Sequence, residues 1–256
     1  MDCFTYIYKS NYSKEVSFQF IAHTVGLLQL FESVLLLICC CVSLWYHAGD
    51  LIAFGISFVI NLVVGVALLG YGRKKEMGPS RSEAYIVVAL SWVFFSFFGM
   101  MPYLIGGYIP SVADAFFETM SGFTTTGATI LDNIEDMPHG ILFWRSLTQW
   151  IGGLGIVCFT IVLMPGLGNG SQMLYLSEAT GVTHDRLCPK IRDMARYILM
   201  VYISLTALEI VLLEAGGMGL FDAVCHSMST TATGGFSTKQ NSISYWNSQY
   251  IEYVIS

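Results

Sequence analysis

One segment of this sequence occurs twice, and both copies lie between long apolar runs. The first copy is DAFFETMSGFTTTGATILDN at 114–133, and the second is DAVCHSMSTTATGGFSTKQN at 222–241. The two copies align without a gap, and seven positions carry the same residue in both. They are Asp114, Ala115, Met120, Ser121, Thr125, Gly127 and Asn133 in the first copy, and Asp222, Ala223, Met228, Ser229, Thr233, Gly235 and Asn241 in the second. Each copy predicts a helix too short to cross a bilayer, followed by a Thr/Gly stretch that favours neither helix nor strand. A re-entrant membrane loop has these properties.

The apolar runs have the length of membrane spans. Hydrophobic residues make up 54% of the chain and charged residues only 12%, which excludes an ordinary soluble domain. Spans of roughly twenty residues or more are predicted at about 18–45, 51–71, 84–105, 141–165 and 194–215, with a sixth beginning near Gln249. The first span has no cleavage site after it, so we expect it to stay in the mature chain. The sequence therefore predicts an all-α polytopic membrane protein.

The basic residues predict the orientation of these spans. Lysine and arginine cluster before span one, between spans two and three, and between spans four and five: Lys9, Lys14, Arg73, Lys74, Lys75, Arg81, Arg186, Lys190, Arg192 and Arg196. By the positive-inside rule these segments and the N-terminus are cytoplasmic. The opposite loops are acidic apart from Lys239. Both Thr/Gly segments should therefore open to the outside, where the acidic excess concentrates cations.

The spans and the repeated segments predict three parts of the chain. Residues 1–72 form an accessory transmembrane hairpin, because no Thr/Gly segment separates spans one and two. Residues 73–192 form a first helix–pore loop–helix repeat with its cytoplasmic linker, and residues 193–256 form a second repeat that is truncated in its last helix. The linker at 166–192 is polar, and we expect a short interfacial helix in it before Pro189.

The Thr/Gly segments are suited to binding a dehydrated cation. Non-helical backbone survives in the hydrocarbon layer only where it is buried in protein or lines a watery cavity. TTTGAT at 124–129 and TATGGF at 231–236 can turn carbonyl oxygens towards one axis, and the C-terminal dipole ends of the preceding helices favour a cation there. Potassium is the natural candidate. The alternative is a plain helix-ending turn. Asp114 and Asp222 are expected to cap helix N-termini rather than bind ions.

Polar residues near or inside the apolar layer are further candidates. Arg145 is costly near the outer end of span four unless it is paired or hydrated, so Glu118 or an outer-loop aspartate is its expected partner. That pair would brace the loop, whereas snorkelling to the interface is the alternative. Glu118 and His226 occupy equivalent places in the two short helices, which allows either proton coupling or polar packing. Glu32 and Glu209 lie inside spans, and the sequence assigns them no partner.

No other motif indicates catalysis or metal binding. The seven cysteines lack metal-ligand spacing. WIGGLG at 150–155 lacks the strand and the Lys-Ser/Thr of a nucleotide-binding loop, so Gly152, Gly153 and Gly155 should serve close helix packing. We expect no catalytic residue, no cofactor and no nucleic-acid partner, with K⁺ as the only metal.

Four motifs resemble the Trk/Ktr superfamily of potassium-uptake proteins and, within it, the TrkH/TrkG branch. They are SGFTTTGATILDN at 121–133, RSLTQWIGGLGIVCFTIVLMP at 145–165, THDRLCPKIR at 183–192 and TTATGGFST at 230–238. The resemblance implies four helix–pore loop–helix repeats around one pore, after two extra helices. It also implies that one group of residues binds K⁺ at a selectivity filter: Thr125, Thr126, Gly127, Thr233, Gly234 and Gly235.

The same resemblance implies a setting for the chain. It would be the N-terminal half, and thus a fragment, of a pore-forming potassium-uptake subunit. That subunit would lie among the lipids of the bacterial inner membrane as a homodimer, with a cytosolic nucleotide-binding regulatory subunit of the TrkA type. Two alternatives remain. A membrane-embedded enzyme using Glu118, His226 and Arg145 predicts titratable groups converging in a cleft, and a non-conducting assembly piece predicts no transport.

Overall fold

The structure, a computed structural model, describes residues 16–72, 81–167 and 187–256, and it contains helices and turns but no strand within those ranges. The α-helices are α1 Phe18–Trp45, α2 Leu51–Tyr71, α3 Arg81–Gly99, α4 Met101–Ile105, α5 Val112–Phe123, α6 His139–Leu167, α7 Leu187–Ala215, α8 Leu220–Thr231 and α9 Gln249–Ile255. A 3₁₀ helix, Ser242–Trp246, precedes α9. The all-α fold is therefore confirmed.

The predicted spans correspond to long helices. Among the described residues, four stretches are long and apolar enough to cross a membrane: Phe18–Trp45, Leu51–Tyr71, Glu83–Ile105 and Arg196–Ala215. The first two coincide residue for residue with the predicted spans. The span predicted at 141–165 lies within α6, and α9 begins at Gln249 as expected. Hydropathy and length therefore located these helices correctly.

The third span contains a break that hydropathy does not reveal. The span predicted at 84–105 divides at Met100 into α3 and α4. Pro102 lies in the first turn of α4, where its missing N–H costs nothing, whereas inside a continuous helix it would remove a hydrogen bond. Near the break, the Gly99 carbonyl accepts a hydrogen bond of 2.9 Å from Trp144 Nε1. The indole thereby attaches the end of α3 to α6.

The accessory hairpin packs tightly and is attached to the first repeat. A Cβ on Gly26 would lie 3.0 Å from Leu68 Cβ, so α1 and α2 approach closely where a small residue allows it. Asp50, between the two helices, is buried and accepts a hydrogen bond of 2.9 Å from Ile141 N in the first turn of α6. The hairpin carboxylate thus satisfies one of the orphan N–H groups of α6.

The three-part division remains a prediction. The boundary after residue 192 falls inside α7, which begins at Leu187. Residues 73–80, where the first repeat was taken to begin, and most of the linker, with the short helix expected before Pro189, lie outside the described residues. What the structure describes is the packing that matters for the site, in which α6 contacts both short helices, α5 and α8.

Candidate functional site

Two short helices carry the repeated segments. α5 and α8 have 12 residues each, about 18 Å at 1.5 Å per residue, so neither can cross a hydrocarbon layer of roughly 30 Å. Their N-caps are Ser111 and Gly219, whereas Asp114 and Asp222 lie in the first turn. The expected capping role of these aspartates is therefore wrong. An acidic side chain in the first turn still interacts favourably with the helix dipole.

The turns after α5 and α8 have the same unusual backbone at equivalent positions. Thr125 and Gly127 have φ angles of 56° and 75°, and Thr233 and Gly235 have φ angles of 55° and 90°. Glycine adopts this left-handed region readily, but a threonine there costs about 1–2 kcal/mol. The same strained threonine in both repeats indicates that the surrounding structure imposes the conformation.

Hydrogen bonds give the same register for the two turns. Thr126 N donates to Ser121 O at 3.0 Å, and Gly234 N donates to Ser229 O at 2.8 Å. Thr126 and Gly234 are thus equivalent, as the constant offset predicts. The Thr-Gly dipeptides of the two segments are not equivalent to each other.

The two turns lie in direct contact. A Cβ on Gly127 would overlap the carbonyl oxygen of Gly234, so no side chain fits between them. Within the described part of the chain, no atom lies within 4 Å of a Cβ placed on Gly235, and Thr126 and Thr233 are exposed. The structure therefore brings the six predicted filter residues into two adjoining turns, with Gly127 against Gly234 and Gly235 on the open side.

Arg145, on α6, joins the two turns. Its Nε lies 2.9 Å from Glu118 Oε1, with exposures of 1% and 0%, so the expected ion pair is present and fully buried. Nη1 donates to Ser237 O at 3.1 Å and Nη2 to Thr129 Oγ1 at 3.2 Å. The guanidinium carbon also lies 4.2 Å from the centroid of the Phe236 ring. One side chain thus contacts the residues that follow both turns.

Glu118 holds the backbone that leaves the first turn. Its carboxylate accepts hydrogen bonds from Thr129 Oγ1 at 2.9 Å and from Ile130 N at 3.1 Å, in addition to the bond from Arg145. A buried carboxylate is costly unless its charge is paired and its oxygens are hydrogen-bonded. The arginine supplies that compensation, so pair and loop depend on each other.

His226 occupies the place of Glu118 in the second repeat and makes the equivalent contact. Its Nε2 lies 2.9 Å from Ser237 Oγ, and its Nδ1 lies 2.8 Å from the carbonyl of Asp222. Because a carbonyl only accepts, Nδ1 carries a proton. Ser237 Oγ already accepts from Lys239 N at 2.9 Å, which suits a serine hydroxyl that donates to a neutral imidazole. His226 is therefore packed as a loop anchor.

Gln149 is a residue that sequence reasoning missed. It lies one helical turn after Arg145 on α6 and is fully buried. Its Oε1 accepts from Ser229 Oγ at 2.6 Å and from Phe236 N at 3.1 Å, so it holds the second turn. The i, i+4 spacing from Arg145 was the signal available, because such residues share one face of a helix.

The glycines of WIGGLG separate into two kinds. A Cβ on Gly152 would overlap the Phe123 carbonyl, and one on Gly153 would lie 2.7 Å from Tyr202 Oη, so close packing is confirmed at both. Among the described residues, the nearest atom to a Cβ on Gly155 belongs to Trp92, at 3.9 Å. The first two glycines let α6 approach the C-terminal end of α5 and the helix α7.

The buried polar side chains of this site position the backbone of the two turns, and they are not arranged for catalysis. Glu118, Arg145 and His226 are buried, and each is engaged in the contacts given above. The described residues contain no group of three or more His, Cys, Asp or Glu that could hold a metal ion. The enzyme alternative required titratable groups around an open cleft, and these three side chains instead bind the two turns.

Comparisons with known proteins identify the family of this chain. A protein-family model described as "TrkH: Cation transport protein" matches residues 51–256. The chain belongs to this TrkH family. The structure of a family member, "Crystal Structure of the Potassium Transporter TrkH from Vibrio parahaemolyticus", superimposes with a TM-score of 0.80 at 36% identity, over 93% of this chain and 48% of that one.

Curated TrkH-family relatives give the same result. The Trk system potassium uptake protein TrkH of Escherichia coli (strain K12) is 37% identical over 242 residues, which is 93% of this chain and 50% of the relative. TrkG of the same organism is 35% identical over 236 residues, covering 91% and 49%. The chain thus spans about half the length of these relatives. Both relatives are named as potassium uptake proteins.

Proposed function

We propose that this chain contributes two pore loops to a potassium-uptake pore. Backbone carbonyls of Thr125, Thr126 and Gly127 in the first turn, and of Thr233, Gly234 and Gly235 in the second, bind dehydrated K⁺. The observation that carries the proposal is the identical positive-φ pattern in two adjoining turns, each at the end of a short helix. Relatives named as potassium uptake proteins support the choice of ion.

Electrostatics favours a cation at this position. The C-terminal ends of α5 and α8 carry partial negative charge and lead into the two turns. An outer mouth rich in acidic residues raises the local cation concentration. An ion that has passed the filter moves inward down the electrical gradient, gaining about 2.3 kcal/mol per 100 mV.

Arg145 and Glu118 act in this proposal as filter supports. The guanidinium contacts both repeats and lies beside Phe236, the residue after Gly235. A rigid set of donors and acceptors around the turns holds the converging carbonyls in place against their mutual repulsion when no ion is bound. Selectivity then depends on these side chains as well as on the glycines.

The proposed setting follows the family and the charge pattern. The chain lies in the bacterial inner membrane with a cytoplasmic N-terminus, and the complete transporter is a homodimer with a TrkA-type cytosolic regulatory subunit. By resemblance to the family, two further pore loops complete the pore, and the relatives are about twice as long as this chain. K⁺ is the transported ion, and no resident cofactor is required.

The test is a chimera in which this chain replaces the matching half of Escherichia coli TrkH. It is expressed in a strain lacking potassium uptake, alongside the chain alone. We expect growth at limiting potassium with the chimera. Gly127→Ser and Gly235→Ser should weaken discrimination between rubidium and sodium in flux measurements, because both positions need positive φ. Cys41→Ser, at an exposed cysteine of α1, is the matched control.

The results separate the alternatives. If both glycine variants reached the membrane at normal levels and kept the same ion preference, the proposal that the two turns form the selectivity filter would be wrong. A chimera that reaches the membrane and carries no flux would favour the non-conducting assembly piece.

A further inference from the structure

The accessory hairpin contains a buried polar cluster that the pore loops do not use. We call Gln29, Glu32 and Asn61 the hairpin polar cluster. Gln29 and Glu32 are one helical turn apart on α1, Asn61 lies opposite on α2, and their exposures are 1%, 0% and 0%. Both helices are candidate membrane spans. An ionisable side chain within a span marks a functional site by default.

The cluster lies near the middle of the membrane layer. Glu32 is close to the centre of α1 (Phe18–Trp45), and Asn61 is close to the centre of α2 (Leu51–Tyr71). From Asn61 to the end of α2 is about 15 Å along the helix axis at 1.5 Å per residue. An ionised carboxylate at this depth is at its most costly.

The hydrogen bonds of the cluster leave two acceptors without a donor. Gln29 Nε2 donates to Glu32 Oε2 at 2.5 Å and also to Asn61 Oδ1. Asn61 Nδ2 donates to Ser57 O at 3.0 Å. Gln29 Oε1 and Glu32 Oε1 are buried and have no hydrogen-bond partner among the described residues. One hydrogen atom placed on Glu32 Oε1 supplies the missing donor.

Among the residues that the structure describes, no basic side chain forms an ion pair with Glu32. A Cβ on Gly99 would lie 3.0 Å from Glu32 Oε1 and equally close to Thr119 Cγ2, so the carboxyl faces α3 and the first pore helix, α5. Thr119 Oγ1 donates to its own helix, at Ala115 O. Charged groups on the packed helices are engaged elsewhere within the described chain: Glu83 with Ser17 N, and Glu118 with Arg145.

A proton fits this site better than a metal cation. Protein-bound cations are surrounded by several oxygen ligands, and here the amide hydrogens of Gln29 already point at two of the available oxygens. Within the described chain, Gln29 Oε1 and Glu32 Oε1 are the two buried oxygens of the cluster that lack a donor. One proton on Glu32 turns an acceptor into a donor, which removes both the negative charge and one unpaired acceptor.

We propose that Glu32 binds a proton at neutral pH and shares it with Gln29 Oε1, so that the hairpin polar cluster is a neutral proton site between the accessory hairpin and the first pore helix. The proton comes from water, and no other group changes its charge. The site is independent of the potassium filter, so either proposal stands if the other fails.

Infrared spectroscopy of the full chain reconstituted in lipid tests this proposal. The difference spectrum of wild type minus Glu32→Gln at neutral pH should contain the carbonyl band of a protonated carboxyl group, with a shift in D₂O. Glu214→Gln, at an exposed glutamate near the end of α7, should remove no such band. Gln29→Leu should shift the band of Glu32, because the acceptor of its proton is lost.

Thermal unfolding distinguishes a proton from a bound ion. Glu32→Gln keeps the shape and stays neutral, so its melting temperature should equal that of wild type with or without Na⁺ and K⁺. If Na⁺ or K⁺ raised the melting temperature of wild type and Glu32→Gln abolished that rise, the site would bind a metal cation and the proton proposal would be wrong. Absence of the carboxyl band from wild type would refute the proposal even if the variant failed to fold.

Discussion

Replacing Arg145 by methionine tests how far the two turns depend on one side chain. The variant removes the only cation that contacts Glu118 in the described chain, together with the hydrogen bonds to Ser237 O and Thr129 Oγ1. Leaving one member of a buried ion pair uncompensated costs about 3–5 kcal/mol. We expect the free energy of unfolding to fall by that amount.

Variants of Glu118 test whether the loss of stability in Arg145→Met comes from the unpaired charge. Glu118→Gln alone should also cost about 3–5 kcal/mol, because it leaves the buried guanidinium unpaired. The double variant Arg145→Met/Glu118→Gln removes both charges, and the oxygen of the introduced amide can still accept from Ile130 N. The lost hydrogen bonds to Ser237 O and Thr129 Oγ1 then remain, at about 1 kcal/mol each, together with the lost contact to the Phe236 ring. The double variant should therefore be more stable than either single variant.

Reversible unfolding of the reconstituted chain in mixed micelles measures these free energies. Lys239→Met is the matched control, because its Nζ lies 4.7 Å from the Tyr245 ring and the variant keeps the backbone N–H that donates to Ser237 Oγ. That contact is worth about 0.5–1 kcal/mol at a partly exposed site. If the two single costs simply added in the double variant, the ion pair would not be the link between the turns.

Three further outcomes are expected, two from the structure and the last from the distribution of charges in the sequence. Gly127→Ala should destabilise the chain more than Gly235→Ala, because both need positive φ but only the first overlaps a carbonyl; melting temperatures compare them. Gln149→Leu should cost about 1–3 kcal/mol in the unfolding assay by leaving the Phe236 N–H unpaired, and an unchanged stability would show that water replaces the amide. In a cysteine-free background, labels at Ser80 and Asp136 should react from opposite sides of the membrane; reaction from one side would exclude the re-entrant loop.

Local pattern was enough to predict the fold. A membrane span needs only length and hydropathy, and the spans at 18–45 and 51–71 matched their helices residue for residue. The constant offset between the repeated segments likewise predicted which residues share a backbone conformation, because φ angles and helix-end hydrogen bonds are decided over a few residues. The break at Met100 also depends on the local sequence, but a hydropathy profile does not show it.

The sequence pattern did not predict the contacts between helices that are distant along the chain. A span that is apolar on every side gives no periodic signal of which face meets which neighbour. The charge of Arg145 predicted that it has a buried partner, and Glu118 was the expected one. The sequence did not predict the contacts of Gln149, since a neutral amide is tolerated in many settings.

The sequence by itself determined the helices, the repeat and its register, because those properties depend on neighbouring residues and on the thickness of the bilayer. Only the tertiary structure decided that one arginine contacts both turns, that Gly127 meets the Gly234 carbonyl, and that Gln29, Glu32 and Asn61 share one buried site. These depend on the rotation and closeness of packed helices, which small residues and buried hydrogen bonds set together.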